Sequence, residues 1–252
     1  MDVVSSERVG DRAVVRLSRP SRLNSLTTED LAALAETIRA VDADGPSVIV
    51  LEGEGRAFCT GADLSGLVDA ATVAAAADVI RAISGARAVV IARVQGPAAG
   101  VGASIAVACD LVVAAASAFF LMPFLPIGLV PDGGATRTLV ELVGRARATR
   151  MILGGERIGA TQAAEWGLIA DVVPDDQLDA RIAVYVDRIL DAPQQAVFAS
   201  KRLVRGAAES ALEEALVAEL AVQGDLLASD EYAIAREAFL AKRPISFRRH
   251  AS

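Results

Sequence analysis

The hydrophobic positions of this chain switch repeatedly between two spacings. Near the start, "RAVVRLSRP" is rich in strand formers and follows a Gly10-Asp11 turn, which predicts a hairpin. In "NSLTTEDLAALAETIRAVDAD" the interval lengthens. Leu31, Leu34, Ala35, Ile38 and Val41 recur at helical spacing, acids fill the first turn, and Thr27 or Thr28 supplies the N-cap. "PSVIVLEG" then reads as a buried strand, an Ala-rich helix follows over about residues 72–84, and "RAVVIARVQG" is a second buried strand. "GVGASIAVACD" reads as a short, almost wholly apolar helix with the strands of "LVVAAASAFF" packed behind it. Strand, helix, strand, helix, strand in that order predicts an α/β core with parallel pairing.

Beyond Asp132 the pattern turns helical, over about residues 133–155, 161–166, 175–191, 193–205 and 210–243, with one strand at "GLIADVVP". These helices are amphipathic and carry much of the charge, so some of their apolar faces are expected to meet another subunit. The expected division is a core over residues 1–190 and a helical C-terminal region over 191–252.

Composition narrows the possibilities. Apolar residues make up 53% of the 252 positions but aromatic ones only 4%, so the core must be built from Ala, Val, Leu and Ile. A net charge of −7 without any Lys/Arg run argues against a nucleic-acid surface, while a few local cations would still suffice for a phosphate-bearing small ligand. Cys59 and Cys109 form neither a disulfide framework nor a metal-ligand spacing; they suit a reducing cytoplasm and read as small buried apolar residues. "MDVVSSERVGDR" lacks the basic start and apolar segment of a secretion signal. Residues 111–131 are uncharged over a spanning length, but Pro123, Pro126 and Pro131 would break a membrane helix, so a buried strand and loop are expected there.

Two loops carry candidate chemistry. "GRAFCTGADLSG" follows the strand "SVIVLEG", and its glycines let the backbone leave the sheet by an unusual path. "QGPAAGVGASIAVACD" runs from a strand into a helix whose first N–H groups point outward and favour negative charge. Gly96, Gly100 and Gly102 do not match the dinucleotide fingerprint G-x-G-x-x-G. Either loop alone is compatible with a plain connection. Together they present backbone N–H groups from two strand ends, as a two-donor oxyanion hole requires.

With "SRPSRLNSLT", "IGLVPDGGATRTL", "GERIGATQAAEWGLIADVVP" and "AFLAKRPISF", these make six blocks that resemble the crotonase family, the enoyl-CoA hydratase/isomerase superfamily, over essentially the whole chain. The resemblance implies an α/β fold with a ββα-spiral core and a helical C-terminal oligomerisation region, assembled as a trimer or dimer of trimers. It implies an acyl thioester of coenzyme A as substrate, with no cofactor beyond that coenzyme A. By the same likeness the N–H groups of Ala62 and Val101 form the oxyanion hole, although Gly is usual at position 101. Arg22, Leu23, Thr60, Asp63 and Leu64 correspond to coenzyme-facing positions, and Lys242, or Arg243 beside it, to a phosphate contact from the same or a neighbouring subunit.

The hydratase members use two glutamates, and here Ser104 and Phe124 stand in their places. Neither side chain performs acid/base work at neutral pH. Asp132 is the remaining titratable group of the matched acyl end, resembling the catalytic acid of several enoyl-CoA isomerases; a helix N-cap is its alternative role. Phe124, Leu129 and Val130 are expected to make its surroundings apolar and so raise its pKa. Shifting a double bond needs one base used twice, whereas hydration must also orient a water, so an isomerase is the favoured reading. A hydratase, and a coenzyme-A-thioester binder without catalysis, are the alternatives. His250 is the only histidine and lies in the "FRRHAS" tail, which rules against a Ser/His/Asp triad. Trp166 is expected in the core, and Glu141 in a surface ion pair with Arg137.

Overall fold

In the computed structural model, which describes residues 3–66, 68–127 and 129–207 and isolated positions 230, 234, 241 and 243, alternation along the strands sets the architecture. Strands β1 (Val4–Val9) and β2 (Arg12–Leu17) form the expected hairpin about Gly10. β3 (Val48–Gly53), β4 (Val89–Val94), β6 (Leu111–Ala115) and β9 (Asp171–Val173) extend it in parallel, giving the order β1-β2-β3-β4-β6-β9. Val15, Leu17, Ile49, Leu51, Val90, Ala92 and Val94 face the main core. Val14, Val48, Val50, Val89, Ile91 and Val113 face the other side, under Leu178, Ile182 and Val186 of α6 (Leu178–Leu190). Apolar cover on both faces is why these strands read as nearly unbroken hydrophobic runs. Each fully buried Leu or Ile here contributes about 1.5–3 kcal/mol.

A second layer winds alongside. After β2, Leu26 bridges Ala62; after β3, Cys59 bridges Ala98; β5 (Pro97–Ala99) pairs in parallel with β7 (Phe119–Leu121), and β7 pairs with β8 (Ile158–Gly159). Each visit to this layer ends in a helix: α1 (Thr28–Ala43), α2 (Ala70–Gly85), α3 (Val101–Ala108) and α4 (Ala135–Ile152). Strand, short strand, helix, repeated, makes a ββα spiral.

Local chemistry fixes the helix starts. Thr27 caps α1 and closes a capping box with Asp30, and Asp69 does the same for α2 with Thr72, so α2 begins before residue 72. The helix expected over 133–155 is shorter and kinked, because Gly144 adopts φ 77° within α4. The strand expected from "GLIADVVP" contracts to β9, and α6 is preceded by a 3-10 turn at Asp175–Gln177. α5 (Ala160–Trp166) ends at Trp166, which packs at the edge of the core under the guanidinium groups of Arg147 and Arg150 rather than inside it. Glu141 pairs with Arg137 at 3.8 Å, as expected.

α7 (Gln194–Ala207) is fastened by charge. Asp110 accepts Lys201 Nζ at 2.8 Å, Arg205 Nε at 2.7 Å and the Val90 N–H at 2.7 Å, and Arg205 also donates to the Ala108 carbonyl at the end of α3. The helix expected over 210–243 lies outside the described residues except at positions 230 and 234, which are helical, and 241 and 243, which are not. No described helix is long and apolar enough to cross a membrane.

Candidate active site

Two buried amides hold the loop between β3 and α2. Asn24 Nδ2 donates to the carbonyls of Glu54, Ala57 and Phe58, while its Oδ1 accepts the Arg19 N–H. Gln95 Nε2 donates to the carbonyls of Gly53, Gly55 and Ala57 from the other side. Asn24 stood inside a matched sequence block, but a buried amide looks like any turn residue until its three carbonyl partners converge.

The loop then passes close to the start of α3. Gly61 has φ +97°, and a Cβ there would stand 2.9 Å from the Ala99 carbonyl oxygen and 3.5 Å from Val101 N. Only glycine fits both the conformation and the approach. Leu26 donates to Gly61 O at 2.9 Å and accepts from Asp63 N–H at 2.8 Å, which leaves the Ala62 N–H directed away from that bridge. Val101 is the first residue of α3, so its N–H has no acceptor within the helix. Gly100, at φ 55°, absorbs the left-handed geometry before it, and Val101, outside the positive-φ set, keeps its amide without strain despite its β-branch. The backbone therefore brings Gly61, the neighbour of Ala62, against the first amide of α3 at Val101.

Asp132 lies beside the same helix. Ser104, one turn after Val101, donates its hydroxyl to the Asp132 carbonyl at 3.0 Å and also reaches Gly100 O at 3.4 Å. Gly133 sits against it: a Cβ at this residue, where φ is +59°, would lie 2.9 Å from Ser104 Cβ and 3.5 Å from Ile80 Cγ1. Asp132 does not cap α4, whose N-cap is Gly134 without any side-chain bond. Its Oδ1 is buried and accepts no hydrogen bond among the described residues. Burial raises its pKa above the usual carboxylate range, with its own backbone N–H partly offsetting the shift. The expected apolar neighbours divide: Phe124 is buried, with its Cζ 3.9 Å from a Cβ placed on Gly100, but Leu129 is 44% and Val130 75% exposed. Ile80 of α2, which the sequence pattern did not single out, stands on the buried side instead.

The coenzyme-facing candidates gather on one rim. Arg22 is exposed at the end of a 3-10 turn, and Leu23, at φ 52°, accepts both the N–H and Oγ1 of Thr60 at 3.2 Å. Asp63 is occupied internally: its carboxylate accepts the Ser65 hydroxyl at 2.6 Å and N–H at 3.0 Å, and pairs with Arg19 at 3.2 Å. These contacts hold its pKa below the usual range, the Ser65 hydroxyl contributing most. Leu64 is 59% exposed. Lys242 lies outside the described residues, and Arg243 is exposed. A cleft of about 560 Å³ lies between the end of α2 and α7 and touches none of Ala62, Val101 or Asp132.

A ββα spiral in which the loop after β3 packs against the start of α3, with the half-buried Asp132 residue bonded to that helix through its main chain, has the architecture of the crotonases. Comparison with known proteins agrees. The family model described as enoyl-CoA hydratase/isomerase matches residues 10–250. A probable enoyl-CoA hydratase of Rhodobacter capsulatus is 36% identical over 241 residues, 93% of each chain. The 1,2-epoxyphenylacetyl-CoA isomerase of Escherichia coli is also 36% identical, over 242 residues and 92% of each chain. Among solved structures, an enoyl-CoA hydratase of Mycobacterium smegmatis superposes with a TM-score of 0.92 at 30% identity, covering 97% of this chain and 98% of its own. The chain belongs to the enoyl-CoA hydratase/isomerase family.

Proposed function

We propose that this protein moves the double bond of an acyl-CoA thioester from the 3- to the 2-position, with Asp132 as the single acid/base. The thioester oxygen would accept the N–H groups of Ala62 and Val101. Ionised Asp132 would remove a proton from C2, and the released electron pair would move into the carbonyl as an enolate held by the two amides. The protonated carboxyl would then deliver that proton to C4 as the enolate collapses, forming the bond between C2 and C3. Its raised pKa keeps both protonation states within reach during the cycle.

The observation that carries this reading is the buried, unbonded Asp132 Oδ1 on a loop whose main chain Ser104 ties to α3; the resemblance that sets Ser104 and Phe124 in the places of the hydratase glutamates supports it. The likeness to the Escherichia coli isomerase supports it. The likeness to relatives named as hydratases favours the second reading, 2-enoyl-CoA hydration. Arg22, Leu23, Thr60 and Leu64 would face the coenzyme, with Lys242 on a phosphate, in a trimer or dimer of trimers whose mass light scattering would report.

Turnover of 3-enoyl-CoA and 2-enoyl-CoA by wild type and by Asp132→Asn tests the proposal. Isomerisation by wild type that collapses in the variant is the expected result. Full isomerase rate in Asp132→Asn removes Asp132 from the mechanism; hydration without isomerisation selects the second reading. Acyl-CoA binding with no turnover of either substrate makes the protein a non-catalytic binder.

A further inference from the structure

Resting on the acid/base role proposed for Asp132, we infer that Ser104 is a positioning residue: it fastens the Asp132 loop to the oxyanion helix, and in doing so occupies the space a longer side chain would need. Three observations meet at this side chain. Its hydroxyl bonds the Asp132 carbonyl at 3.0 Å, and that carbonyl also accepts the Ala135 N–H at 3.2 Å, so one oxygen ties α3 to the entry of α4. Ser104 is 1% exposed. Gly133 presses on its Cβ so closely that even a methyl group there would stand 2.9 Å away.

The consequence is an exclusion. In the rotamer seen here, any residue with a methylene in place of Oγ would put carbon about 3 Å from a carbonyl oxygen, inside ordinary contact distance, and would lose the hydrogen bond. A glutamate at 104 and the Asp132 loop in this position are thus competing arrangements of one site. Ser104 touches no reacting atom; it acts by fixing where the Asp132 carboxylate stands relative to the Val101 amide.

The test is a double-mutant cycle on isomerisation of a 3-enoyl-CoA, using Ser104→Ala, Asp132→Asn and the double variant, with thermal unfolding as the check on folding. Ser104→Ala is expected to lower kcat about tenfold, since a reacting group displaced by a fraction of an ångström loses alignment, while KM stays within about twofold. The rising limb of its kcat–pH profile should move to lower pH as the loosened carboxyl gains water. In the Asp132→Asn background the same change should add almost nothing. Equal and multiplicative losses in both backgrounds would overturn the inference while leaving Asp132 in place, as would a folded Ser104→Glu protein with wild-type rate. Full activity of Asp132→Asn alone would remove the underlying reading, and the inference with it.

Discussion

The meeting of two amides can be tested by a single methyl group. Gly61→Ala places a Cβ 2.9 Å from the Ala99 carbonyl oxygen and 3.5 Å from Val101 N, at a residue with φ +97°. The backbone oxygen cannot swing aside as a side chain would, so the strain is relieved only by spreading the two loops. Spreading by a few tenths of an ångström separates the Ala62 and Val101 donors. Losing one oxyanion donor lowers kcat about 10²–10³-fold, or about 3–4 kcal/mol of barrier. The left-handed backbone itself costs an alanine about 1–2 kcal/mol of stability. Gly45→Ala isolates that second effect, because Gly45 has φ +79° with nothing within 4 Å of an added Cβ. Steady-state kinetics on whichever enoyl-CoA the wild type turns over, with thermal melts of both variants, separates the two. Both should melt a few degrees lower, and only Gly61→Ala should lose kcat. A folded Gly61→Ala protein whose kcat lies within threefold of Gly45→Ala would refute an oxyanion hole at Ala62 and Val101.

Three further outcomes follow from charges and thiols. Because burial raises the folded-state pKa of Asp132 above that of an ordinary carboxylate, its carboxyl supports the fold below the ordinary pKa and withdraws this support as pH rises through the folded pKa. Urea unfolding of Asp132→Asn should therefore show undiminished or greater stability near neutral pH, with the gain over wild type shrinking in acid; a variant clearly weaker at neutral pH would contradict the sign. Asp110→Ala leaves the buried Lys201 ammonium and the Arg205 guanidinium without their shared carboxylate, and should cost about 3–5 kcal/mol in the same assay. Cys59, whose thiol burial pushes up to about 12, and Cys109, raised further by the same cause, should resist a disulfide reagent until the protein unfolds.

Much of the fold was legible because the inner strands of the large sheet, β2, β3, β4 and β6, are covered on two faces, and a helix such as α1 is buried on one. Leu31, Leu34, Ala35, Ile38 and Val41 are all buried along α1, as their spacing predicts. The second layer was not legible in this way. Leu26, Cys59 and Ala62 join it through single bridges, and a period-2 pattern cannot develop over one residue. Gly144 gave no warning of the kink in α4, since a helix interior tolerates glycine and only the φ of 77° reveals the break. At the site, the amides of Ala62 and Val101 came from matched motifs, but Leu129 and Val130 misled. Apolar residues next to Asp132 in sequence extend outward from a loop, while Ile80, distant in sequence, stands 3.5 Å from a Cβ placed on Gly133.

The division of labour between backbone and side chain explains how one fold can serve several reactions. An oxyanion hole made from the N–H groups of Ala62 and Val101 does not depend on which side chains stand there, provided Gly61 and Gly100 carry the awkward torsions. Val101, where the family usually has glycine, stands outside positive φ and would serve as a donor for that reason. The acid/base, by contrast, is a side chain and can move. With Ser104 on α3 bonded to the Asp132 main chain on the adjoining loop, the proposed acid/base would come from the start of α4 while the proposed enolate hole stays with the backbone. Phe124 is buried and packs toward Gly100, and on the proposed reading its phenyl ring would stand in for the second carboxylate that orients water in hydration. A site with an intact enolate hole and one carboxylate can take a proton from one carbon and return it to another. On the proposed isomerase reading, hydration would lack a second polar group to orient water, because Ser104 is already bonded to the Asp132 carbonyl and Phe124 cannot titrate.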